Sequence, residues 1–180
     1  MPYATTHILL AILLIELYRD FFVKNNKKFP RYYILIAAIG SIIPDLDIAL
    51  FYVVSFFGFS FNEIHRTFLH SIFIPLIFFL AGILTYALKI KNREFEKRHI
   101  TLPTTFFILT FGIVLHLVLD ATLSGSIMPF YPFSKMGIGL NLVNLFPVAW
   151  RDIILPTLDA ALLLFWIFWM EFRLKINNYF

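Results

Sequence analysis

Long apolar runs separated by short charged connections constrain this chain more than any other feature. Five stretches can be read: Thr6 to Val23, Tyr32 to Phe57 broken by Pro44, Phe68 to Leu88, Thr104 to Leu123, and Ile153 to Phe172. A helix needs about 20 mostly apolar residues to cross the hydrocarbon core, and several of these runs fall close to that length. Composition points the same way. Of 180 residues 60% are hydrophobic and 14% charged, with 23 Phe, too little polar surface to enclose a soluble core. The expected fold is therefore an all-α integral membrane bundle of about five transmembrane helices, a single membrane-embedded domain over residues 1–180. A re-entrant or interfacial loop is expected before the last helix.

No removable signal peptide is expected, because the run from Ile8 lacks a basic region before it and continues into Glu16, Arg19 and Asp20. The net charge of +4 gives no nucleic-acid signature, since no basic stripe interleaves with exposed aromatics. Instead Lys24, Lys27, Lys28 and Arg31 share a side with Lys89, Lys91, Arg93, Lys97, Arg98, Arg173 and Lys175. The opposite side keeps Arg66, Lys135 and Arg151. The positive-inside rule then places the N-terminus outside a cell membrane and the C-terminus in the cytoplasm. Glu16, Arg19 and Asp20 are read as paired, snorkelling charges at an interfacial helix end.

Ionisable residues inside a span cost about 2.5–3.5 kcal/mol and are retained for pairing, ligation or transport. His7, His65, His70 and His116 lie in or at the ends of spans, whereas His99 belongs to a charged loop and reads as solvated. The absence of cysteine leaves imidazole and carboxylate as metal ligands, which suits zinc, manganese, iron or magnesium. In Gly40-Ser41-Ile42-Ile43-Pro44-Asp45-Leu46-Asp47, proline opens the helix beside two carboxylates that would repel without a cation. A plain helix cap explains one aspartate and leaves the other without a partner.

Histidines five apart, His65 and His70, would diverge by about 140° on a continuous helix. If both face one site, the chain must turn between them. Arg66 then stands beside them as a permanently charged donor for phosphate or carboxylate; the plainer reading is a basic loop meeting lipid headgroups. His116 and Asp120 share a helix face at i, i+4. They could chelate one metal, or Asp120 could orient His116, or the two could simply lock helices together. Asp159, inside the last run, could add a carboxylate to the site, pair with Arg151, or cap a helix after Pro156. The aromatic, proline-bearing segment from Leu123 to Trp150 reads either as an interfacial rim or as a structural re-entrant loop. Counting along the runs brings His7, Asp45, Asp47, His65, His70, His116 and Asp120 to one side of the membrane, the outer one.

Taken in order, Thr6-His7, Gly40 to Asp47, His65 to Ser71, and His116 to Gly125 followed by Pro132-Phe133 resemble the YdjM-like family of inner-membrane-associated, LexA-regulated metal-dependent hydrolases. The resemblance covers roughly residues 5–135. More remotely, the order is similar to the zinc-dependent phospholipase C and nuclease group, which binds a zinc cluster through His and Asp and cleaves phosphate esters. This implies a metal-activated water, with His7, Asp45, His65, His70, His116 and Asp120 as ligands and Asp47 as a further candidate. The chain departs from the family pattern at Ile48, Thr67 and Leu69, so one potential ligand is missing.

The expected function is a membrane-bound metal-dependent hydrolase acting on phosphate esters of lipids. Zinc leads among the metals, with two or three ions allowed for. Arg66 would stabilise phosphoryl charge, and Asp47 or another carboxylate would be the general base. Its partners would be the bilayer and a lipid phosphate, with no nucleic acid. The rival is a metal-ion or proton transporter using the same residues; a conduit, however, should continue across spans whose cytoplasmic halves are almost wholly apolar.

Overall fold

A computed structural model describes residues 3–23, 29–91, 101–123 and 125–174. The basic loop at 24–28, His99 within 92–100, and Lys175 lie outside the described residues. Within them the chain forms seven α-helices: α1 Ala4–Tyr18, α2 Tyr32–Gly40, α3 Leu46–Val54, α4 Phe61–Ile64, α5 Phe73–Lys91, α6 Leu102–Leu123 and α7 Val148–Leu174. There is no strand among the described residues, only an isolated antiparallel pairing of Ile127 with Ile138.

α6 is the centre of the assembly, with α5 along one side and α2 along another; α1 packs against α2 and α7. The core between α1, α2 and α6 consists of Ala11, Ile15, Phe29, Tyr33, Ala37 and Ile108. Small residues let α2 and α6 approach closely, as expected where lipid supplies no hydrophobic drive between helices. A Cβ on Gly112 would stand 2.6 Å from the Ala37 carbonyl oxygen, and one on Gly40 would stand 2.8 Å from that of Leu109. Only glycine fits at this crossing.

The all-helical membrane class is as expected, but the count of five spans is not supported. Among the described residues, two helices are long and apolar enough to cross a bilayer, Leu102–Leu123 and Val148–Phe172. A third candidate is the pair Tyr32–Gly40 and Ile43–Phe57, which passes only when its two arms, bent by 44°, are taken as one span. The bend falls where Ser41 and Ile42 leave the helix and Pro44 opens a single 3-10 turn. The expected first span ends as an α-helix at Tyr18 and runs on as a π turn over Arg19–Val23. The expected third starts five residues late, at Phe73, and its apolar part is the short helix Phe73–Leu88.

The charges of α1 are paired but do not snorkel. Glu16 and Arg19 are each only 5% exposed. The Trp166 indole N–H donates to Glu16 (3.1 Å), and Arg19 Nε donates to the Phe29 carbonyl (3.1 Å) while its Nη1 stands 3.9 Å from Asp20. Buried ions need such partners, and α1 finds them in α7 and in the segment before α2.

Candidate metal centre

Four separate elements bring the predicted residues together. His7 comes from the first turns of α1, and Asp45 and Asp47 from the break between α2 and α3. His65 and His70 come from the turn between α4 and α5, and His116 and Asp120 from the last turns of α6. Residues 65–72 form no helix, which supplies the turn that histidines five apart require to face one site. His7, Asp47, His70, His116 and Asp120 are each no more than 1% exposed.

The imidazoles are held so that their ligating nitrogens converge. His116 Nδ1–H donates to the Ser41 carbonyl at 2.7 Å, and a carbonyl can only accept. In the neutral ring, Nε2 therefore carries the lone pair. That Nε2 stands 3.3 Å from His70 Nε2, 3.5 Å from Asp45 Oδ1 and 3.8 Å from Asp120 Oδ2. From His70 Nε2 the two carboxylates are at 3.8 Å and 3.4 Å respectively. His7 stacks on His116 with ring centroids 3.9 Å apart and places its Nε2 3.5 Å from Asp120 Oδ1.

Asp47 stands behind this group. It accepts from His65 Nδ1 at 2.9 Å and from the Arg66 backbone N–H at 3.0 Å, and lies 3.0 Å from His70 Nδ1. A carboxylate on one nitrogen of a histidine whose other nitrogen faces the site is the usual outer support of a metal ligand.

Three overlapping triplets have their donor atoms within 4.8 Å of one another: His7, His116 and Asp120; Asp45, His70 and His116; Asp47, His65 and His70. The buried His/Asp groups could thus hold a metal ion, and two observations show that they fit one. Asp120 is 1% exposed, yet neither of its oxygens makes a hydrogen bond. A buried carboxylate is costly unless cations meet it; Arg66 Nε, 3.4 Å from Oδ2, supplies one, and the converging histidine nitrogens suit a metal ion as another. Two ligand atoms each about 2.1 Å from a tetrahedral ion stand about 3.4 Å apart, and the 3.3–3.8 Å separations bracket that edge.

Asp159 belongs to none of the triplets and hydrogen-bonds Thr6, beside His7; it does not pair with Arg151, which instead donates to the Phe146 and Asn144 carbonyls. Arg66 Nε stands 3.4 Å from Asp120 Oδ2. Sequence reasoning missed the Ser41 carbonyl, a backbone acceptor with no residue signature. Its placement could have been suspected from Gly40 and Gly112, the small residues that bring α2 and α6 together one turn before His116.

Fold and site define an all-helical membrane protein with a buried His/Asp constellation able to hold a metal ion. The chain belongs to the YdjM inner membrane protein family, whose model matches residues 1–176. No curated protein and no solved structure matches it.

Proposed function

We propose that this protein is a membrane-bound hydrolase that uses a divalent ion, zinc foremost, to cleave phosphate esters of lipids at the extracytoplasmic face. The observation that carries the reading is the buried Asp120 carboxylate, ringed at 3.4–3.8 Å by Arg66 and three histidine Nε2 atoms but accepting no close hydrogen bond. His70, His116 and Asp120 would form the central donor set, with His7 at its side and Asp45 facing the open position, while His65 and Asp47 serve as the support behind it. An ion held there would lower the pKa of water towards ~7 and polarise a phosphoryl oxygen.

The chain's own groups do the rest. Arg66 binds a phosphoryl oxygen at the mouth of the site. Asp47, already engaged by His65 and Arg66, orients the imidazoles. Asp45, whose side chain is 17% exposed and so the more open carboxylate, takes the proton from the attacking water. The water oxygen joins phosphorus, the ester P–O bond breaks, and the departing alcohol takes up a proton. The apolar helices that carry the cluster favour a substrate that arrives from the bilayer, and the Lys and Arg distribution favours an outer-facing site with the N-terminus outside.

Elemental analysis of purified protein, paired with turnover of a phosphodiester and a phosphomonoester lipid, tests the reading. Bound metal and turnover should both be lost in His70→Ala and Asp120→Ala. A metal-free preparation with full activity would refute it. Metal uptake into sealed vesicles without turnover would favour the transporter instead.

A further inference from the structure

We propose that the loop joining α6 to α7 aims the guanidinium of Arg66, and that this guanidinium forms an oxyanion subsite beside the His/Asp cluster for a phosphate group. The proposal deepens the phosphate-ester reading and rests on it.

Arg66 sits at φ +61, in the left-handed region that a long side chain rarely adopts. Its backbone N–H is tied to Asp47 at 3.0 Å, which fixes where the side chain leaves the chain. One edge of the side chain meets the site, with Nε 3.4 Å from Asp120 Oδ2. The far end meets Gly125. A Cβ on Gly125 would stand 1.8 Å from Arg66 Nη1 and 2.9 Å from Cζ. The guanidinium therefore rests in the space a side chain at 125 would fill, and Gly125, at φ +108, has the backbone freedom that only glycine offers cheaply.

The loop is built to hold that glycine in place. Gly125 N–H donates to the Asn141 side-chain oxygen at 2.7 Å, and Leu140 N–H donates to the Ala121 carbonyl at 2.6 Å. Ile127 and Ile138 exchange backbone hydrogen bonds of 3.0 and 2.8 Å between these points. Gly139 presses so closely on the Gly125 carbonyl that a Cβ there would come within 2.0 Å of it. Among the described residues, the non-glycine positions with positive φ are Arg66 and Asn141, and both meet Gly125. Strained backbone persists where surrounding structure over-determines it, and such positions gather at functional sites.

A mere counter-ion for Asp120 would not need this seat, since any flexible cation would serve. A planar guanidinium can meet Asp120 with its Nε and Gly125 with its Nη1 end at once, a fixed orientation that suits the planar recognition of phosphate oxygens. At 17% exposure the side chain can be reached from outside, whereas Asp120 cannot. Gly125 and Asn141 are accordingly positioning residues for Arg66.

Full-length protein loaded with zinc would be titrated with inorganic phosphate in detergent, and in nanodiscs with phosphatidic acid or phosphatidylcholine. Arg66→Gln and Gly125→Ala should each weaken phosphate binding by on the order of tenfold or more, with metal content unchanged. Asn141→Ala, which adds no bulk, should weaken it in the same direction by less. Binding of inorganic phosphate identifies a free-phosphate site, and binding of phosphatidic acid alone identifies a headgroup site; either supports the subsite. Wild-type affinity in Gly125→Ala overturns the proposal, as does wild-type protein that binds neither phosphate. Joint loss of metal and phosphate in Gly125→Ala also overturns it, because the loop would then serve the ion. If the wild type holds no metal while Arg66→Gln and Gly125→Ala still weaken phosphate binding together, the metal reading fails and the subsite stands.

Discussion

Consider Gly112→Ala, a single methyl group added where α6 crosses α2. The new Cβ would lie 2.6 Å from the Ala37 carbonyl oxygen and 2.8 Å from both Gly40 C and Ser41 N. All three are backbone atoms, so no side chain can swing away. Reaching the ordinary 3.4 Å contact requires α2 to retreat by about 0.8 Å. The His116 Nδ1 to Ser41 carbonyl distance would then open from 2.7 Å to about 3.5 Å, beyond a useful hydrogen bond. Two losses follow. Overpacking costs about 1–3 kcal/mol of stability. Loss of the partner that fixes a ligating histidine costs about 10- to 100-fold in metal affinity.

Zinc affinity measured by competition with a chromophoric chelator, alongside thermal melts with zinc and with EDTA, separates the two effects. A tenfold weaker site removes about 1.4 kcal/mol of zinc-linked stabilisation at fixed zinc, so the gap between the two melts should shrink. Gly82→Ala is the control. Its Cβ would press on the Phe107 ring at 2.8 Å, a side chain on the other flank of α6 and away from Ser41. It should lower the melt in EDTA without changing zinc affinity. Folded Gly112→Ala protein with wild-type zinc affinity would refute the argument that the glycine crossing holds His116 in its ligating tautomer.

Other substitutions divide the site into parts. His116→Ala should abolish zinc binding, whereas His65→Ala should weaken it by about 10- to 100-fold, as loss of a supporting residue does; elemental analysis at a series of zinc concentrations would show equal losses if the division is wrong. Trp166→Phe removes the donor to buried Glu16 and should lower stability by about 1.5–3 kcal/mol, read in a denaturation midpoint, while leaving metal content intact. For orientation, a membrane-impermeant thiol reagent applied to intact cells should label Ser60→Cys and not Asn92→Cys, and the reverse pattern would move the site to the cytoplasmic face.

Much of the site was legible because its residues are costly in an apolar setting. His116 and Asp120 fall one turn apart on α6, and the turn between His65 and His70 follows from helix geometry alone. The span count was less legible, since an apolar run registers burial without saying whether protein or lipid provides it. Pro44 announced the break in the second run, but not that the arms would diverge by 44°. Asp159 read equally well as a ligand, an ion-pair partner or a cap, and its attachment to Thr6 depends on how α7 docks on α1. The Arg66 conformation left a trace only in the distant Gly125, which no local rule connects to it.

The docking of α7 has a consequence for biogenesis. Most of its apolar side chains face outward, and it is fastened to α1 through two polar clasps, Asp159 on Thr6 and Trp166 on Glu16. Thr6 precedes His7, so a helix that follows every His/Asp donor in the sequence steadies the first residue of the His/Asp cluster. A nascent chain already contains every donor by Asp120, but α1 gains its clasps only when α7 has entered the membrane. Synthesis of α7 thus becomes a condition for a braced site, and a chain cut before α7 would hold the His/Asp donors without the contacts that steady α1.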